Sequence, residues 1–355
     1  MLSTFKRAFS TSFTHFKMSI PKTSAAVYFK EQSESLDVLT FDPEYATPQI
    51  QSPTEVLIKN RYAGINFIEA YFRKGIYPVT ELPYVLGREA SGTVAAIGSE
   101  VKDLSVGDKV AYLSGKTFAQ YTLFDTATNH RYLKLDPATT DKELLLYGSA
   151  LVQGLTALTI IEDSYPVKKG DDILVTAAAG GVGLLLDQLI SGIGARVIAV
   201  ASTADKLELA KKAGASVVIN SETEDVVARI KEATGGKGVE ASFDGVGKAT
   251  FEISYESLAR KGSLVSFGNA SGTVPPLSIN RLSPKNLKLV RPQVFGYTAT
   301  KEEWLYYSSK LVGLLKSGKL KLDITEVFPL KNFKLAAEKL EGRKTTGKLA
   351  LEIPE

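Results

Sequence analysis

From residue 141 onward the chain reads strand, helix, strand, helix, and this alternation restricts the fold more than any other feature. Strand candidates at 172–177, 196–201, 216–220, 239–244 and 263–268 are separated by helical periods at 182–190, 205–213, 225–233 and 249–258. Each strand followed by a helix returns the chain to the same end of a sheet, so the strands run parallel with helices on both faces. Residues 25–110 have another texture. β-type runs at 25–29, 55–62, 91–97 and 109–113, broken by Pro and Gly, predict a compact β-rich unit. The class is therefore α/β: a β-rich domain followed by a doubly wound parallel-sheet domain. Past residue 292 the alternation stops, and a helical stretch near 302–315 with two short β runs predicts a segment returning to the first domain.

A length of 355 residues suits two such domains, each able to bury a core without covalent staples. The absence of cysteine removes thiolate nucleophiles and Cys-ligated zinc, and His15 and His130 are the only histidines. The apolar run at 173–186 has 14 residues and includes three glycines, short of the ~20 needed to span a bilayer, so no membrane partner is expected. Net charge is +4, yet the first thirty residues hold five bases and no acid. The remainder is thus almost neutral, and the basicity belongs to the leader. There Leu2, Phe5, Phe9, Phe13 and Phe16 form one helical stripe opposite Arg7, with Ser and Thr between. That composition predicts a mitochondrial transit leader over residues 1–17, and Arg7-Ala8-Phe9-Ser10 resembles a matrix-protease site. Initiation at Met18 would give a leaderless cytosolic form.

Between the first parallel strand and its helix stands Ala177-Ala178-Ala179-Gly180-Gly181-Val182-Gly183. As a dinucleotide fingerprint, it has Ala178 where the first glycine is usual, Gly180 for close approach to a pyrophosphate, and Gly183 for helix packing. At the tip of the second strand, where an acid would hold a ribose 2′-hydroxyl, stand Ser202 and Thr203, with Lys206 one turn on. A hydroxyl and an ammonium suit a 2′-phosphate, which favours NADPH; Asp205 is the dissenting residue.

Together these residues resemble the medium-chain dehydrogenase/reductase family, in its zinc-independent quinone oxidoreductase (zeta-crystallin) branch, close to fungal members. The resemblance runs from about Ala25 to Glu355. It rests on Gly170, Asp171, Leu174, Ala178 to Gly181, Gly183, Gln188 and Ser191, and on Gly87-Arg88-Glu89-Ala90-Ser91-Gly92-Thr93-Val94 with Gly98, Val101, Gly107, Asp108 and Val110. It implies a GroES-like catalytic domain at 18–152, a Rossmann NADPH-binding domain at 153–291, and a return segment at 292–355. It also implies a pocket of Asn66, Tyr71 and Tyr77, and a cofactor lined by Asn66, Thr156, Ala179, Gly180, Gly181, Val182, Gly183, Ser202, Lys206, Ser221, Val246, Phe267, Gly268, Asn269 and Arg343. A homodimer follows from the same resemblance. Two departures matter. Arg88 occupies the place of a zinc-binding histidine, so no metal is expected, and Ser221 stands where some relatives have a tyrosine near the 2′-phosphate.

Without a metal or a catalytic histidine, reduction of an activated acceptor is the chemistry left. A quinone asks mainly for positioning and for hydrogen bonds to a developing oxyanion, which Asn66 and Tyr71 could supply. Reduction of an enal or enone double bond is the alternative, with Tyr71 as proton donor. Glu89 reads as structural and His130 as a loop residue. Seven bases between 257 and 301 (Arg260, Lys261, Arg281, Lys285, Lys288, Arg291, Lys301), with no acid among them until Glu302, leave RNA as a further partner, unsupported by any stacking motif.

Overall fold

The computed structural model describes residues 20–355; the leader reading at 1–17 and Met18 lie outside the described residues. The parallel sheet has six strands in the spatial order Val217–Asn220, Arg196–Ala201, Asp172–Thr176, Val239–Asp244, Leu258–Ser266 and Lys288–Val290, all parallel. Numbered along the chain this is 3-2-1-4-5-6, the doubly wound dinucleotide-binding order, whose crevice opens where the order reverses beside Asp172–Thr176. Ile173, Leu174 and Val175 are completely buried, as strands covered on both faces require.

The first domain is built on a larger sheet in the order Ile324–Pro329, Lys348–Glu352, Glu55–Ile65, Glu89–Ile97, Lys109–Leu113 and Tyr132–Lys134, with Tyr121–Asp125 also paired to Glu55–Ile65. A smaller sheet of Thr40–Ala46, Thr23–Phe29 and Tyr84–Val85 lies beside it. The C-terminal strand thus pairs with a strand nearly three hundred residues earlier, and the chain closes on its own first domain.

Three features depart from the sequence reading. Helix Asp141–Thr159 joins the domains and is started by a Thr140–Glu143 capping box. Its Leu151, Leu155 and Leu158 share one cluster with Ala111 and Leu113 of the first domain and Ile173, Val175 and Leu185 of the second. With its continuation to Ser164 it is long and apolar enough to cross a membrane, but it is mostly buried as the hub of this core. Gly148 lets it touch the sheet, since a Cβ there would come within 2.5 Å of Ser91 Oγ. Second, the fifth strand starts at Leu258, five residues before the expected 263, because Lys261 takes φ +68° and the register shifts where charged residues interrupt the apolar run. Third, Lys288–Val290 adds a sixth strand too short to show a period. Helix Lys301–Lys316 packs on helix Asp141–Thr159 through Trp304, Tyr307 and Leu311, and the Trp304 indole donates to Tyr132 O at 3.1 Å. Within the tail, Ile324–Pro329 and Lys348–Glu352 are the strands that join the first sheet.

Candidate active site

The glycine-rich turn is shaped by its own backbone. After Thr176, Ala177 takes φ +48°, Gly180 N–H donates to Ala177 O at 2.8 Å, and Gly180 caps helix Gly181–Ile193 without a side-chain bond. The first-turn amides of the helix, including those of Val182 and Gly183, are left for a ligand. At Gly183 a Cβ would lie 2.5 and 2.6 Å from the carbonyl oxygens of Ala177 and Ala178, so only glycine lets the turn close onto the helix. Gln153, on the joining helix, covers Gly181 and keeps a buried Oε1 with no partner among the described residues. Thr156 follows three residues on and donates its hydroxyl back to Val152 O at 2.6 Å.

The C-terminal segment reaches over this turn. Gly347 N–H donates to Ala179 O at 3.2 Å and pairs with Gly180 as an isolated parallel bridge. Upstream, Lys206 Nζ donates to Arg343 O at 2.8 Å, bringing Lys206 and Arg343 together beside Ser202 at the tip of Arg196–Ala201. Thr203 caps the next helix, and Asp205 is exposed in its first turn. Ser221, closing the neighbouring strand, donates to Ala201 O through its backbone at 3.0 Å. The Gly-rich turn, an acid-free strand tip and two bases form a cradle whose donors fit a phosphorylated dinucleotide.

On the opposite side, helix Ile68–Arg73 presents Tyr71, whose hydroxyl accepts from Asn269 N–H at 2.8 Å. Tyr77 meets the Tyr71 ring edge-on at 5.4 Å between centroids. Burial pushes the Tyr71 phenol up to about 12, so it stays protonated through neutral pH. The loop carrying Val246, Phe267, Gly268 and Asn269 is organised by buried Asp244, which accepts from Val246 N–H, Gly247 N–H and the hydroxyls of Thr250 and Ser254. Arg291 braces the same loop, donating to Ser266 O at 2.8 Å and Gly268 O at 3.2 Å.

Asn66 departs from expectation. Its amide nitrogen donates to Gly64 O (3.2 Å) and Glu89 Oε1 (2.8 Å), while Oδ1 accepts from Lys348 Nζ (2.7 Å). Both N–H groups are engaged within the protein, so Asn66 links elements and does not present a free donor to an acceptor. Lys348 is the residue the sequence reading misses altogether; a lysine opening an apolar strand reads as solvated, yet this one is completely buried. Gln153 and Arg291 are missed for a similar reason, since only tertiary contacts bring them to the turn and loop. Glu69, two residues from Tyr71, is buried against Gly87 N–H, and burial raises its carboxyl to about 7. His130 lies elsewhere, 3.3 Å from Thr298 O.

The donor set does not fit a zinc ion. Arg88 lies 4.0 Å over the Phe72 ring and bonds the Tyr84 hydroxyl, placing a fixed cation where the resemblance would put a histidine. The chain has no cysteine, and the described residues contain no cluster of three His, Cys, Asp or Glu side chains.

Two family models match: "Alcohol dehydrogenase GroES-like domain" over residues 52–133 and "Zinc-binding dehydrogenase" over residues 181–310. A probable quinone oxidoreductase of Schizosaccharomyces pombe is 43% identical over 302 residues, covering 84% of this chain and 89% of that protein. The chain belongs to the medium-chain dehydrogenase/reductase family. This medium-chain dehydrogenase/reductase is an oxidoreductase with a GroES-like domain and a Rossmann domain. Its fold matches the structure of Escherichia coli quinone oxidoreductase complexed with NADPH, with a TM-score of 0.87, 36% identity, and coverage of 93% of this chain and 100% of that one. A 2-haloacrylate reductase of Burkholderia is 32% identical, covering 84% of this chain and 91% of that protein.

Proposed function

We propose that this chain is an NADPH-dependent quinone oxidoreductase that reduces small ortho- and para-quinones without a metal. One observation carries the reading: the Tyr71 hydroxyl of the first domain meets Asn269 of the cofactor-side loop, so an acceptor-side aromatic wall and a dinucleotide cradle share one cleft. NADPH would supply the hydride. The free first-turn amides, including those of Val182 and Gly183, would hold its pyrophosphate, and Ser202, Lys206, Ser221 and Arg343 would meet the 2′-phosphate. Thr156, Val246, Phe267, Gly268 and Asn269 border the nicotinamide. Because Tyr71 accepts from Asn269 N–H, its own proton is left to donate to an acceptor oxygen, and a phenol raised to about 12 keeps that proton at working pH. Tyr77 and Tyr71 offer the flat walls a quinone ring suits. The S. pombe and E. coli relatives support the acceptor class.

The test is NADPH oxidation by the purified protein across quinones, enones and alcohols in the presence of a chelator. Quinone turnover should persist in chelator, and Tyr71→Phe should lose turnover while NADPH affinity changes much less. Ethanol oxidation, or enone reduction far exceeding quinone reduction, would overturn the assignment. The second outcome promotes the double-bond reductase reading, which the 2-haloacrylate reductase relative favours and in which Tyr71 protonates the α-carbon.

Lys206→Glu should weaken NADPH by at least about tenfold and spare NADH, since a charge-assisted contact contributes roughly 1.5–3 kcal/mol. Equal losses for both cofactors in equilibrium titration would make Lys206 only a tether for Arg343.

A homodimer belongs to the same proposal. RNA binding is weakened: Arg281 pairs with Glu252, Lys285 donates to two backbone carbonyls, and Arg291 braces the Asn269 loop. We also propose mitochondrial import through residues 1–17, with a cytosolic form started at Met18. A reporter fused behind residues 1–17 should enter mitochondria; one that stays wholly cytosolic refutes it.

A further inference from the structure

We propose that the buried Glu89–Lys348 pair is a positioning device through which the first domain sets the two segments that clasp the cofactor turn. The inference rests on the NADPH reading and extends it to residues outside the cradle. Lys348 and Glu89 are both 0% exposed. All three donors of the ammonium are used: to Glu89 Oε1 at 2.7 Å, to Asn66 Oδ1 at 2.7 Å and to Ile65 O at 2.9 Å. The carboxylate is equally engaged, for Oε1 also accepts from Asn66 Nδ2 and Oε2 accepts from Val152 N–H at 2.8 Å. Gly64 makes the room, since a Cβ there would come within 2.1 Å of Glu89 Oε1.

Two of the three groups held by Glu89, the Lys348 ammonium and the Val152 N–H, belong to residues whose chain neighbours touch the glycine-rich turn. Next to Lys348 is Gly347, whose N–H holds Ala179 O and whose backbone bridges Gly180. Next to Val152 is Gln153, whose side chain covers Gly181. One carboxylate on the strand Glu89–Ile97 therefore fixes a contact on each side of the turn, and the same C-terminal segment carries Arg343 to Lys206. A buried ion pair is a poor source of net stability compared with apolar packing, whereas it imposes one geometry on the backbone groups it bonds. Four elements meet at this pair: the strands Glu89–Ile97 and Lys348–Glu352, the end of Glu55–Ile65, and helix Asp141–Thr159.

The test compares the full-length protein with Glu89→Gln, Lys348→Met and the double variant, using direct NADPH titration, thermal unfolding, and amide hydrogen exchange of residues 178–183 and 343–348 without cofactor. Each single variant should raise the NADPH dissociation constant at least tenfold, speed exchange in both segments, and lower the unfolding midpoint. In the double variant, with no unpaired buried charge, the midpoint should recover toward wild type while affinity stays at least tenfold weaker and exchange stays fast. Affinity that recovers together with the midpoint, or stays within twofold of wild type in any folded variant, would reduce the pair to a structural role and overturn the proposal. Exchange that stays at the wild-type rate in both segments would overturn it as well. A wild-type protein that binds no NADPH would instead sink the cofactor reading, while exchange in the cofactor-free protein would still judge the positioning role.

Discussion

Gly183→Ala is expected to raise the NADPH dissociation constant by at least about a hundredfold, the equivalent of roughly 2.7 kcal/mol, and to destabilise the fold as well. On an open helical position the same change stabilises by about 1 kcal/mol, because alanine loses less backbone entropy. At Gly183 that gain is outweighed. The new Cβ would sit 2.5 Å from Ala177 O and 2.6 Å from Ala178 O, and neither carbonyl can turn aside as a side chain could. Relief requires the helix to move from the turn, with overpacking costs of about 1–3 kcal/mol or more, and the movement carries the first-turn amides away from a bound pyrophosphate. Gly192 on the same helix supplies the control of opposite sign, since none of the described residues lies within 4 Å of a Cβ there. Fluorescence titration of NADPH and thermal unfolding of both variants decide it. A Gly183→Ala protein that binds within threefold of wild type would show that the turn does not need its close packing.

The parts of this molecule legible in the sequence are those whose physics is local. Strands Asp172–Thr176 and Arg196–Ala201 carry uninterrupted apolar runs at 173–175 and 197–201, and Val239–Asp244 alternates apolar with polar residues, so their existence and parallel pairing follow from local pattern and spacing. The turn at 177–183 is local too, and the close helix packing read for Gly183 reappears in the backbone geometry. What escapes is set by distant partners. Helix Asp141–Thr159 carries a local signal in Thr140 and Glu143, but Gly148 and Gly154 argue against a helix until Ser91 and Leu311 are seen pressing on them. Lys348 is the extreme case. Its partner Glu89 is 259 residues away, and a lysine beside a threonine-rich turn gives no sign that it is completely buried. Asn66 is found as a site residue through the resemblance, while its actual engagement with Glu89 and Lys348 requires the folded chain.

Asp187→Asn is expected to stabilise the protein at pH 8 and to give little or no gain at pH 4. Asp187 lies on the helix behind the glycine-rich turn, fully buried, with neither carboxylate oxygen bonded to any group among the described residues. Burial alone raises its carboxyl from 3.8 to about 8; no neighbouring charge contributes in either direction. Because the folded value lies above the unfolded one, the folded state binds a proton that the unfolded chain releases. Stability is therefore fully present below about pH 4 and is lost as pH rises to about 8, where the loss levels off. At 1.36 kcal/mol per unit, a shift of this size corresponds to a loss on the order of 3–6 kcal/mol. Glu69, raised to about 7, acts with the same sign over a lower window, from about 4.5 to 7, so the wild-type curve contains both. Subtracting the Asp187→Asn curve isolates the first. The amide has nearly the same shape and cannot ionise, so the difference in unfolding free energy between the two proteins, measured in urea at intervals from pH 4 to 9, should grow toward alkaline pH and flatten past 8. A difference independent of pH would mean that Asp187 stays charged in the folded protein and finds a partner that lowers its carboxyl again.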